Sequence, residues 1–246
     1  MRTALVTGSA KGIGRAILLA LAREGYAVAV HYRTSEALAE ATRQEAEALG
    51  VKAIKVRADL TREEEVDRLV EEVRYHLGGV GVLVNNVGDY LYKPIEEVSL
   101  EEWRWILDTN LTATFLLTQR VLPLMVAQGF GRIVNLGYAG AGNLLARTHI
   151  TPYVIAKTGV ILYTKAIAKR FAASGINRFA PAFGIERRSR KRRAHRMRRL
   201  HAGLARDGVM LRRVRLIHQQ PADGGQAIAL REFLHQRNAD DASAHA

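Results

Sequence analysis

The sequence predicts an α/β fold, a doubly wound parallel sheet in a three-layer α/β/α arrangement, as a single domain over residues 1–246. Three observations predict it. Short apolar runs recur through the first two thirds of the chain, each followed by a segment of helical period. Glycines or a proline mark several of the boundaries between them, and 246 residues with 48% hydrophobic content are enough to bury a full core. Thr3 to Thr7 reads as the first buried strand, followed by Ile13 to Glu24, a helix that ends at Gly25, a residue suited to a left-handed cap. Ala27 to Tyr32 is the second strand, Ser35 to Leu49 a helix ending at Gly50, and Lys52 to Arg57 the third strand. Thr61 is expected to open the next helix, with Glu64 completing a capping box and the helix running to Leu77. Val80 to Val84, Gly131 to Leu136 and the helices Leu100 to Val126 and Pro152 to Ala173 continue the alternation, the last helix carrying a proline in its first turn.

After Gly175 the rhythm fades. Arg187 to Leu200 reads RRSRKRRAHRMRRL and Leu211 to Leu216 reads LRRVRL, too poor in apolar residues for interior strands. The formal charge of +13 is concentrated beyond residue 172, where Lys191 is the only lysine among many arginines. That placement turns a general hint of nucleic-acid binding into a local one. Such a run neutralises phosphates or lies solvated, and no aromatic residue interleaves it to stack on bases, which argues against nucleic acid as a partner. The abrupt exchange of lysine for arginine also fits a tail translated in a frame shifted relative to its relatives.

The absence of cysteine removes disulfides, thiolate metal sites and cysteine nucleophiles, and no metal site is expected. No apolar run of about 18 residues exists and Met1 leads directly into a strand, so the protein is expected to be cytoplasmic, without membrane contact.

Two segments carry chemistry. Thr7-Gly8-Ser9-Ala10-Lys11-Gly12-Ile13-Gly14 lies between the first strand and the first helix, where a tight turn brings backbone N–H groups and a helix N-terminus toward a phosphate. Tyr153 and Lys157 lie four residues apart on one face of a predicted helix; a neighbouring ammonium is expected to lower the phenol from its ordinary value near 10.

With the sequence NNVG from Asn85 to Gly88, these segments resemble the short-chain dehydrogenase/reductase family, whose signatures are TGxxxGxG, NNAG and YxxxK, over residues 1 to about 175. The resemblance implies a Rossmann-type fold in which Gly8, Ser9, Lys11, Gly12, Ile13 and Gly14 form the dinucleotide turn. It further implies that Asp59 and Leu60 border the adenine, that Asn86 and Gly88 wall the cofactor, and that Tyr153 protonates a carbonyl oxygen while Lys157 also holds the ribose. Asn110, within DTNLTATF, matches the family's helix-borne asparagine of the proton relay; a buried asparagine bonded to a helix carbonyl is the alternative. No acid ends the second strand, where Arg33 and Thr34 stand and Lys11 adds a second cation, so NADP(H) is expected over NAD(H).

The family's serine after the fifth strand is replaced by Tyr138, unless a longer loop shifts the alignment, and no serine occurs between Leu100 and Ser174. A phenol also donates a hydrogen bond but reaches further. Phe179 to Gly184 and Asp223 to Gly225 only echo the family's C-terminal landmarks. The motif set is most similar to 3-oxoacyl-(acyl-carrier-protein) reductases. It implies a small-molecule or acyl-thioester carbonyl substrate and a homo-oligomer, a tetramer in relatives and a dimer here if the C-terminal interface is altered. The other reading is a catalytically impaired dinucleotide-binding protein whose basic tail binds a polyanion.

Overall fold

Apolar strands of four to six residues find their partners in one parallel sheet. The computed structural model describes residues 2–138, 144–172, 176 and 178–183. The elements are β1 (Thr3–Val6), α1 (Gly12–Arg23), β2 (Ala27–Tyr32), α2 (Glu36–Ala48), β3 (Ala53–Arg57), α3 (Glu63–Leu77), β4 (Val82–Asn85), α4 (Leu100–Leu107), α5 (Ala113–Ala127), β5 (Arg132–Gly137), α6 (Thr151–Arg170) and β6 (Arg178–Phe183). Their order across the sheet is β3-β2-β1-β4-β5-β6, with every pairing parallel. This is the Rossmann-type order, and a crevice opens where the chain reverses its direction of winding, beyond the carboxyl ends of β1 and β4.

Leu5, Leu83 and Ile133, all fully buried, share one core with side chains of α3, α5 and α6. Leu18 and Leu21 of α1 are buried in the opposite layer, where α1 packs on α2. Burying such a side chain stabilises the fold by about 1.5–3 kcal/mol each, an upper bound set against an extended chain.

Two expectations need correction. The capping box at Thr61 and Glu64 is not made: α3 begins at Glu63, and the Thr61 N–H and hydroxyl both donate to Asp59 Oδ1, at 3.0 and 2.7 Å. A capping box does open α4, where Ser99 Oγ accepts from Glu102 N–H and the Glu102 carboxylate accepts from Ser99 N–H. The helix expected over Leu100 to Val126 is divided by a wide π-turn, Asp108–Thr112, because side chains there compete for helix carbonyls. Thr109 Oγ1 donates to Trp105 O, Asn110 Nδ2 to Ile106 O and Thr114 Oγ1 to Asn110 O, each at 2.9 Å. Arg178–Phe183 adds a sixth strand, one the sequence reading did not assign, and pairs along its whole length with β5.

Met1–Gly184 is one compact unit. The arginine-rich segment, the echo at Asp223 to Gly225 and the expectation of one domain through residue 246 lie outside the described residues. Among the described residues no helix is long and apolar enough to cross a membrane, and no group of three or more His, Asp or Glu is placed to hold a metal ion.

Candidate active site

The loops after β1 and β4 are stitched together by Thr7. Its N–H donates to Val84 O at 3.0 Å, and its hydroxyl oxygen accepts from the N–H groups of Asn86 and Val87 at 2.8 and 3.0 Å. Asn86 Nδ2 returns a bond to Thr7 O at 2.8 Å, so its side chain holds the turn. Gly8 and Gly12 have φ of +62° and +59°, which L side chains rarely adopt. Gly14 is required for a different reason: a Cβ there would stand 2.5 Å from the Gly8 carbonyl oxygen and 2.6 Å from Asn86 Nδ2.

The amino end of α1 fits a phosphate. Among the described residues no side chain caps it and no acid occupies its first turn, and Lys11, Gly12 and Ile13 are exposed around its first N–H groups. Arg33 and Thr34 are exposed beyond β2, on the same edge of the sheet. Ser9 turns the other way: it is fully buried, its hydroxyl donating to Val6 O at 2.7 Å and accepting from His31 N–H at 3.1 Å, and its own N–H donates to His31 O at 3.0 Å, so both its side chain and its amide are engaged within the fold. Leu60 likewise packs into the core. Burial, the largest influence on Asp59, raises it, but the two Thr61 bonds with the charges of Arg33 and Arg62 outweigh this and hold the carboxyl below its ordinary value.

On the other side of the crevice, Lys157 is 4% exposed and its Nζ donates to Leu136 O at 3.0 Å. Asn110 Nδ2 donates to Ile106 O and to Asp89 O, both at 2.9 Å, so the helix-carbonyl bond is made, yet Oδ1 is buried without a hydrogen-bond partner. Gly88 brings these groups together: a Cβ added there would collide with Asn110 Oδ1 and lie 3.1 Å from Lys157 Nζ.

Tyr153 meets two further phenols edge-on, Tyr90 at 5.2 Å and Tyr138 at 5.8 Å between ring centroids. The ammonium of Lys157 lies 5.8 Å from the Tyr153 ring centre. The expected lowering of Tyr153 is therefore corrected: burial first, then Tyr90 and Tyr138, raise it. Burial alone brings Lys157 down to about 8. The segment before α6 is fixed to the loop after β4 by Lys93 N–H to His149 O and Ile95 N–H to Thr148 O, at 2.8 and 2.9 Å, with Tyr92 stacked on His149.

A glycine turn that opens on an uncapped helix N-terminus, together with Tyr153 and Lys157 on α6, agrees with the comparison that decides the family, because the short-chain dehydrogenase profile matches residues 2–187. The chain belongs to the short-chain dehydrogenase family. A 3-oxoacyl-(acyl-carrier-protein) reductase of Staphylococcus epidermidis is 40% identical over 185 residues, 74% of this chain and 75% of that protein. One from Synechocystis is 39% identical over 184 residues, 74% of each chain. The crystal structure of a candidate gluconate dehydrogenase from Agrobacterium tumefaciens superposes with a TM-score of 0.67 at 36% identity, covering 71% of this chain and 68% of that one. In this short-chain dehydrogenase the sequence reading missed three contributors. Thr7 stood inside the quoted turn motif and His31 beside Arg33; for Tyr90 the sequence held no signal, since only the fold brings it onto Tyr153.

Proposed function

We propose that this chain is an NADP(H)-dependent carbonyl reductase of 3-oxoacyl thioesters or closely related ketones, active in the cytoplasm as a homo-oligomer. The observation that carries the reading is the convergence of Lys157 Nζ and Asn110 Oδ1 on Gly88, with Tyr153 one helical turn before Lys157. NADPH, when bound, supplies the hydride equivalent. The protein's part is to hold it and to move a proton. The first N–H groups of α1 take the pyrophosphate, Lys11 and Arg33 the 2′-phosphate, and Lys157 the ribose hydroxyls. Tyr153, kept neutral by its surroundings, donates its phenolic proton to the substrate oxygen. Tyr138, beside it, supplies the hydrogen bond that a serine gives in relatives. Asn110 Oδ1 accepts from the water that refills the proton on Tyr153.

Oxidation of NADPH in the presence of acetoacetyl thioester, with NADH in parallel, tests the whole reading. Turnover with NADPH at least tenfold more efficient than with NADH supports it; saturable dinucleotide binding with no turnover of thioesters or simple ketones overturns it. The latter outcome favours the second reading, a binding protein with impaired chemistry, which the absence of any serine between Leu100 and Ser174 supports.

A further inference from the structure

His31 occupies a position where an apolar side chain would be ordinary. It lies inside β2, is 2% exposed, and therefore needs partners for both ring nitrogens. It has them. Gly8 N–H donates to Nδ1 at 2.9 Å, and Nε2 lies 3.0 Å from Ala58 O. A backbone N–H is only a donor and a carbonyl only an acceptor, so one pair of partners fixes the ring: Nδ1 bare, Nε2 protonated. Burial, which brings the imidazolium down to about 4, acts in the same direction.

The ring thus joins the carboxyl ends of β1, β2 and β3 beneath the dinucleotide turn. The His31 backbone adds to this, with its carbonyl accepting from Ser9 N–H at 3.0 Å and its N–H donating to Ser9 Oγ at 3.1 Å. What is held is a segment that cannot drift without moving α1. Gly8 sits at φ +62°, and its carbonyl oxygen stands so close to Gly14 that no side chain fits between them. Displacing Gly8 therefore displaces the first turn of α1, which no described side chain caps.

We propose that His31 is a positioning residue for the dinucleotide site, its neutral Nε2–H ring holding the Gly8 amide and through it the amino end of α1. The inference rests on the dinucleotide-binding reading given above. Its test uses the full chain in three forms, wild type, His31→Leu and His31→Asn, titrated with NADP+ by calorimetry at neutral pH. His31→Leu, which leaves the Gly8 N–H without an acceptor, is expected to weaken NADP+ about tenfold while kcat at saturating dinucleotide stays within about twofold. His31→Asn, whose Oδ1 is the nearest substitute for Nδ1, is expected to recover most of the loss. A folded His31→Leu protein binding NADP+ as tightly as wild type overturns the proposal. Nitrogen-detected NMR of the wild-type imidazole provides a reading independent of any variant: a bare Nδ1 and a protonated Nε2 at neutral pH support the assignment, and protonation at Nδ1 overturns it. Wild-type protein that fails to bind NADP+ removes the dinucleotide-binding reading instead, and the NMR result still tests His31.

Discussion

Lys157 carries its charge where the surroundings oppose it, and this sets a pH window. Burial brings it to about 8 from an ordinary 10.5, so its ammonium is present below about pH 8 and lost as the pH rises through that value. In the folded state the charge is disfavoured, so this group costs stability below about pH 8 and ceases to do so as the pH climbs toward 10.5. If the ammonium holds the ribose, kcat/KM for NADPH falls on the alkaline side with a midpoint near 8. A pH profile of initial rates checks this, and a flat profile to pH 10 contradicts it. Tyr153 behaves oppositely, since its surroundings raise it and keep the phenol protonated at neutral pH, the form a proton donor needs for reduction. Tyr153→Phe is expected to lower kcat/KM by about 10²–10⁴ with NADP+ affinity unchanged in calorimetry. The Tyr-Lys spacing was legible because four residues make one helical turn. The approach of Tyr90 and the inward orientation of Ser9 were not, because both depend on contacts between segments distant in sequence.

At the scale of elements, all but one of the strands were legible as apolar runs, since a strand buried on both faces advertises itself in composition. Helix ends were less so. Which side chain takes which terminal N–H is decided between neighbours: Asp59 wins the Thr61 N–H, and Asp59 N–H is in turn taken by Glu65 at 2.7 Å. The wide turn at Asn110 was hidden for the same reason, since one of its stabilising partners, Asp89 O, belongs to another loop. β6 escaped because its short run, RFAPAF, opens on an arginine and is broken by a proline. The wide turn yields a prediction. Asn110 and Lys157 both reach Gly88, so Gly88→Ala forces the loop after β4 away from α6 or pushes Asn110 back into its helix. Catalytic efficiency should fall at least tenfold, with melting temperature changed by only a few degrees, as expected when about 1 kcal/mol is lost from a domain of this size. Kinetics and thermal melts on one preparation check both halves, and wild-type kinetics would show that the convergence on Gly88 has no catalytic role.

Two properties belong to the whole molecule. The first is acid lability. Burial, the dominant influence on His31, takes it to about 4 against the bond to Ala58 and the charge of Asp59, with Arg33 acting in the same direction as burial. A base whose folded value lies below its ordinary 6.5 binds fewer protons folded than unfolded, so stability is lost as the pH falls from about 6.5 toward 4, by about 3 kcal/mol from this group. Urea midpoints across that range should drop for wild type and drop less for His31→Asn; parallel curves would show that other groups set the acid limit. The second is assembly. Leu100, Trp105, Phe115, Ile155 and Leu162 expose apolar surface along α4, α5 and α6. A second copy of the chain presents the same surface, and a two-fold axis lets identical faces cover one another. Light scattering at micromolar concentration is therefore expected to give a dimer. Leu162→Glu, at a position 64% exposed and so free of any core role, should shift it to monomer without lowering the melting temperature of the fold itself. A monomeric wild type would remove the interface, and a tetramer would show that a second face, beyond these helices, also pairs.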